Sequence, residues 1–312
     1  MARLFAPQPA PAAAMRRARD TRHTPHAPQT RWLILACVAA LAACAGVPSL
    51  PAPPASLSLA PPASSLMGVE RLQSLQPADV LLLGERHDAP DHQRLQREVV
   101  LWLAERGQLA ALVMEMAERG HSTSGLPRNA SEAQAQAALQ WNDAAWPWRT
   151  YGPVVMAAVA SRVPVHGGNL PRADMREAMA QTRWDQHLPP AALQWQYEAL
   201  REGHCGLLPE SQIIPMARIQ IARDASMAQA VQEALRPHQT VVLVAGGGHV
   251  LRTVGVPTHW PANLRSKVVL AQAYQAQPAI KNEASTDADL MIKTPELPEQ
   301  DVCAPLRGKP QP

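Results

Sequence analysis

Val80 to Leu83 is a run of four apolar residues that stops at Gly84. A short apolar run bounded in this way reads as a strand buried on both faces. From Asp91 to Arg106 the pattern changes. Leu95, Val99 and Leu103 recur every four residues, which is one face of a helix, and Gly107 closes it. Leu109 to Met114 is a second continuous apolar run, ending at Glu115. Pro153 fits the first turn of a helix over Val154 to Ser161. Val163 to Val165 predicts a short third strand, ending in His166-Gly167-Gly168-Asn169. Thr240 to Ala245 predicts the fourth, ending in Gly246-Gly247-Gly248-His249, and Lys267 to Ala271 a fifth. Strands alternating with helices predict an α/β fold with a central parallel sheet flanked by helices. Arg172 to about Leu235 is rich in Ala, Gln and Met and interrupted by Pro189-Pro190 and Pro209. It predicts a smaller helical lobe beside the sheet.

Outside residues 66–281 the pattern changes kind. Residues 1–43 hold six basic side chains and one acid, Asp20, and end in the apolar run Trp32 to Ala43. That run is shorter than the roughly 20 residues a spanning helix needs, so it reads as a secretory signal. Leu41-Ala42-Ala43-Cys44 has the form of a bacterial lipobox, which makes Cys44 the expected lipid anchor. Ala45 after it favours the outer membrane, facing the periplasm. Residues 44–65 are rich in Pro, Ala and Ser and predict a semi-extended tether. Residues 282–312 read as a polar tail with little pattern. The leader also explains the charge. Removing its six basic and one acidic side chains from totals of 29 and 26 leaves 23 and 25, close to neutrality. With no basic stripe left, nucleic-acid binding is set aside. Of the four cysteines, Cys37 lies in the signal and Cys44 is the anchor, leaving Cys205 and Cys303. Two cysteines in an oxidising compartment favour a disulfide, which would pin the tail to the body near Gly203 to Pro209.

Candidate chemistry gathers at the strand ends. Glu85, Arg86, His87 and Asp88 follow the first strand within four residues of Gly84, and Asp91-His92 opens the next helix. Taken alone, this is a solvated turn with Asp91 as a helix cap. The other strands release Glu115, then His166 and Asn169, then His249. A parallel sheet puts all those ends on one edge, so these groups can share one cleft. The three glycines before His249 would offer N–H groups to an anion if a helix began there. They match neither a P-loop nor a dinucleotide fingerprint. Glu85, His87, Glu115 and His249 are residue types that ligate zinc or activate water, but no HExxH spacing occurs. GxSxG, the mark of a serine hydrolase, is absent too.

Trp141 to Pro153 places three tryptophans within eight residues, Trp141, Trp146 and Trp148, in a chain whose one phenylalanine is Phe5. Read from the residues, this is a tryptophan-anchored core loop with a hydrogen-bonded Tyr151. Flat apolar walls, a tyrosine and Arg149 are also what a haem site uses, with the tyrosine on iron and the arginine on a propionate.

Together, GERHDAPDHQ, the Trp141-to-Pro153 segment, HCGLLP, QIARDASMA and VAGGGHVLRTVGVP resemble the ChaN-type haem-binding lipoproteins of Gram-negative bacteria. The resemblance runs from about Leu81 to Val256 with the motifs in the same order. It implies a larger α/β domain with a small helical domain. It also implies haem bound at a face that forms a homodimer with two stacked haems, and a role in haem or iron uptake. An axial tyrosine supported by a histidine maps onto Tyr151, with Trp148 and Arg149 beside it and His204 as a candidate histidine. The wider superfamily that the chain resembles looks like it also includes erythromycin esterase-like enzymes, which keep a Glu/His cluster at the strand ends for hydrolysis. The alternative is therefore a periplasmic hydrolase with Glu85 as base and His87 and His249 as electrostatic partners. Here GERHD has one residue between Glu and His instead of two, which re-aims a side chain. The resemblance favours a binding protein over an enzyme.

Overall fold

The computed structural model describes residues 68–273, 287–298, 301 and 303–307. The signal, the tether and Cys44 lie outside them. After a short helix α1 (Val69–Ser74), strand β1 (Val80–Glu85) runs through the middle of the sheet and is buried along its whole length. It pairs in parallel with β4 (Thr240–Gly246) on one side and β5 (Ser266–Ala273) on the other. With β2 (Leu109–Glu118), β3 (Val165–Asn169) and β6 (Leu290–Thr294), the order is β3-β2-β4-β1-β5-β6, and every pair is parallel.

Side chains alternate between faces of a strand, and this divides the core in two. Leu81, Leu83, Val242 and Val244 face helices α2 (Pro90–Glu105) and α4 (Trp148–Ala160). Val80, Leu82, Val241 and Leu243 face the last turns of α7 (Glu210–Ala234), through Met227, Val231 and Ala234. Pro90 opens α2, and Leu95, Val99 and Leu103 are its buried stripe, as their spacing predicts. The region after β3 is helical, with 3-10 turns before α5 (Met175–Ala180) and between α5 and α6 (Pro190–Gly203), and α7 following α6. Pro189 and Pro209 stand immediately before α6 and α7. Leu200, Ile213 and Ala217 form a small separate core there, with Tyr197 packed against it.

Three boundaries differ from the sequence expectation. Strand β3 includes the glycines that read as its end. A Cβ at Gly167 would stand 2.0 Å from the Glu118 carbonyl oxygen, so only glycine lets β3 approach β2 this closely. Helix α4 begins at Trp148, whose N–H is met by the Asp143 carboxylate at 2.7 Å, and Pro153 lies inside it. Strand β6 falls in the stretch read as a patternless tail. Only Ile292 and Thr294 of its five residues are buried, too few to announce a strand. Cys205 and Cys303 form a disulfide that ties the turn after α6 to the start of α9 (Ala304–Arg307). Among the described residues no helix is long and apolar enough to cross a membrane.

Candidate functional site

The carboxyl edge of the sheet gathers Glu85, His87, Glu115 and His249, as the strand ends predict. Glu85, the last residue of β1, is buried. One of its oxygens accepts from the Tyr151 hydroxyl at 2.7 Å and pairs with His87 Nδ1 at 2.7 Å. The other accepts from Gln93 Nε2 at 2.6 Å and from Gln96 Nε2. With four donors engaged, Glu85 orients its neighbours and has no free lone pair with which to act as a base. The hydrolase reading had given it that role.

His87 carries the exposed end of this arrangement, its side chain 39% accessible. Its Nε2 lies 3.9 Å from Glu115 Oε2, and the Trp146 ring stands edge-on to it at 4.9 Å. Burial works against a charge on His87, but the bond to Glu85 and the field of Glu115 outweigh it, so its pKa is raised. Glu115 is buried within β2 and accepts the Gly246 N–H at 2.8 Å. Burial favours its neutral form, yet His249, His87 and that N–H hold its pKa below the usual value. The glycine amide expected to receive an anion thus receives the protein's own carboxylate.

His249 sits in the single turn α8 (Gly247–Val250). Its Nδ1 is 2.6 Å from Asp224 of α7, and its Nε2 is 3.6 Å from Glu115. Burial opposes its charge, but Asp224 and Glu115 prevail and bring its pKa to about 9. Burial pushes Asp224 up to about 6 against the pull of His249. Two carboxylate–imidazole pairs, Glu85–His87 and Asp224–His249, therefore face one buried carboxylate, Glu115. Such a set can hold a proton at His87 Nε2 near the surface and a fixed positive charge at His249.

Asn169 belongs to this edge, its amide donating to the Glu115 carbonyl at 2.9 Å. Asp88 does not join the cluster: it is exposed and paired with Arg86 at 2.6 Å. His166 has Arg236 and Glu233 as its charged neighbours instead of the strand-end carboxylates. The sequence reading missed Gln93, Gln96 and Asp224, which arrive from helix faces. Each is a polar residue in phase with an apolar stripe, and that was the available signal. His92, named with Asp91 at the start of α2, accepts the Arg86 N–H at 2.9 Å and reaches Thr294 of β6 at 3.0 Å. Among the described residues no group of three or more His, Cys, Asp or Glu side chains could hold a metal ion. A groove of about 460 Å³ lies elsewhere, between residues 123–128 and 162–164, before β3.

The residues assigned to haem do not assemble into a porphyrin site at Tyr151. The Tyr151 side chain is 1% exposed and donates to Glu85, with the Trp146 ring at 5.9 Å and Trp141 at 6.2 Å. Burial and the Glu85 carboxylate drive its pKa up, away from the phenolate an iron ligand requires. Trp148 is buried, its indole Nε1–H donating to Glu132 of α3 (Glu132–Ala138) at 2.8 Å, and so forms no open wall. Arg149 is exposed at the start of α4. His204 lies at the end of α6, its Nδ1 on the Leu200 carbonyl at 2.8 Å. This is the tryptophan-anchored, hydrogen-bonded tyrosine of the plain residue reading. In this arrangement the Tyr151 hydroxyl is committed to Glu85.

Comparison with known proteins places the chain. The family model for haem-binding uptake proteins, ChaN, of the Tiki superfamily, matches residues 71–259. The chain belongs to this family. A structure of ChaN of Campylobacter jejuni, described as showing cofacial haem binding, is similar at 20% identity with a TM-score of 0.55. The match covers 67% of this chain and 87% of that one, and it supports the α/β fold. The type III effector HopBA1 is more distant, at 16% identity and a TM-score of 0.40, covering 70% of this chain and 88% of its own. Among characterised proteins compared by sequence, none matches the chain.

Proposed function

We propose that this ChaN-family protein binds haem at the cell envelope and serves haem or iron uptake. The observation that carries the reading is the haem-binding family match, which spans strands β1 to β4 and the helical lobe. The lipobox at Cys44 supports lipid anchoring in the outer membrane facing the periplasm. Two haems stacked in a homodimer are the arrangement proposed, in line with the cofacial binding named for the Campylobacter protein.

The proposed axial ligand is a tyrosine, and Tyr197 suits the role better than Tyr151. Tyr197 is part-exposed on α6, and His204 follows seven residues later, two helical turns on. His204 Nε2 has no hydrogen bond within the described residues, its Nδ1 being the ring nitrogen on Leu200. Bound haem would supply the iron chemistry, while Tyr197 and His204 would hold it. The test is a haem titration of the full chain, read by absorbance and size-exclusion chromatography. The expected result is a saturating Soret shift with a tyrosinate band that Tyr197→Phe removes and Tyr151→Phe leaves. Loss in Tyr151→Phe alone would return the ligand to the strand ends. No shift beyond that of an unrelated protein would end the haem reading.

A further inference from the structure

Two arginines stand beside the strand-end cluster without an acid of their own. Arg119 follows β2 directly, and its main-chain N–H is held by the Asn169 carbonyl at 2.8 Å. Its Nε donates to Ser226 Oγ at 3.2 Å. Ser226 is three residues beyond Arg223 on α7, so the two lie on one face of that helix. The side chains of Arg119 and Arg223 thereby meet the same turn. The nearest carboxylates are committed elsewhere, Glu115 to His87 and His249, and Asp224 to His249. Among the described residues neither arginine forms an ion pair, and Arg223 feels Glu115 and Asp224 only as more distant charges.

Two buried atoms at this place also lack a partner: Arg223 Nε and Asn169 Oδ1. A buried donor left unmet costs stability, so its retention points to a group that arrives from outside. Two guanidinium groups brought to one helical turn, Arg223 from α7 itself and Arg119 from the end of β2, repel each other unless an anion lies between them. Their planar forks match the two oxygens of a carboxylate.

We propose that Arg119 and Arg223 form a carboxylate clamp at the mouth of the Glu115–His249 cluster, taking an acid group of the bound ligand. Asn169 Oδ1 beside it accepts from a hydroxyl, a water or the protonated acid. Haem carries two propionates, so in that form the clamp rests on the haem reading above. A separate small carboxylate is the other source of the same chemistry.

The deciding experiment titrates the full chain with haem and with haem dimethyl ester, in which both propionates are capped. Wild type and Arg223→Met are compared. Arg223→Met is expected to weaken haem by at least about tenfold, one charge-assisted contact, while leaving the ester unchanged. The preference for haem over the ester then disappears. If Arg223→Met binds haem as tightly as wild type with the same preference, the propionate form of the clamp is overturned. If wild type binds neither porphyrin, the haem reading fails alone, and succinate at constant ionic strength decides the clamp. A melting midpoint that succinate raises in wild type and not in Arg223→Met supports it, and equal responses overturn it. Should Arg223→Met fail to fold, Arg223→Lys takes its place in both arms, keeping the charge and losing the fork.

Discussion

Glu85 accepts four hydrogen bonds on two oxygens, and its donors come from β1's own continuation, α2 and α4. It is the point at which three elements are fastened to one strand end. Glu85→Gln would turn one acceptor into a donor facing donors, leaving at least one of Tyr151, His87, Gln93 or Gln96 unmet. The expected loss is roughly 2–3 kcal/mol, the worth of a buried bond to a charged group, read from urea unfolding. Burial raises the Tyr151 pKa and the Glu85 charge adds to it, so the same change removes the second of these causes. The phenol should therefore ionise at lower pH in a spectrophotometric titration of Glu85→Gln than in wild type. Unaltered stability together with an unaltered titration would show that Glu85 does not organise this site. His87 is the complementary case, half in solvent, and it is the group of this cluster best placed to exchange protons with a ligand.

At the scale of elements, what could be read from the chain was what repeats cleanly. Strands β1 and β4 are apolar without a break, and α2 shows its stripe, so all three stand where their patterns predict. Strand β3 was read short because His166-Gly167-Gly168-Asn169 has the composition of a turn, whereas its glycines serve close packing against β2. Strand β6 buries too few positions to show a period, and only pairing with β5 makes it a strand. The site followed the same rule. Glu85, His87, Glu115 and His249 were found because strands end there. Asp224 stayed hidden because it sits among the buried residues of a long helix. The disulfide joins two elements distant in sequence, Cys205 and Cys303, 98 residues apart. Closing so long a loop restricts the unfolded chain, so Cys303→Ser should cost about 2–5 kcal/mol under oxidising conditions. Wild type treated with reductant should match the variant. If the variant unfolds at the same denaturant concentration as oxidised wild type, the bridge contributes nothing to the fold.

Across the whole molecule, the buried histidines set two opposite responses to pH. His249 has a folded pKa of about 9, above its ordinary value of 6.5, because Asp224 and Glu115 hold its charge against burial. Its contribution is complete below pH 6.5 and is lost as pH rises through about 9. His259 is the reverse. It stacks on His187 at 3.8 Å, and burial, aided by that neighbour, lowers its pKa to about 3. The unfolded chain therefore takes up a proton there that the folded protein refuses, and stability falls as pH drops below 6.5. His92, His166 and His187 are shifted down by burial as well and steepen the same acid limb. Glu115, lowered from 4.5, adds stability above that value and withdraws it in stronger acid. Asp224, raised to about 6, opposes the acid limb between pH 3.8 and 6. The lowered histidines together with Glu115 outweigh it, so the expected profile of melting midpoint against pH is a peak near 6.5. Each limb should carry on the order of 1–3 kcal/mol from its leading histidine. His249→Asn should flatten the fall between pH 6.5 and 9, whatever its absolute stability, and His259→Phe should flatten the acid side while keeping a ring against His187. An alkaline limb of unchanged slope in His249→Asn would mean that the Asp224–His249–Glu115 contacts do not carry the protonation assigned to them.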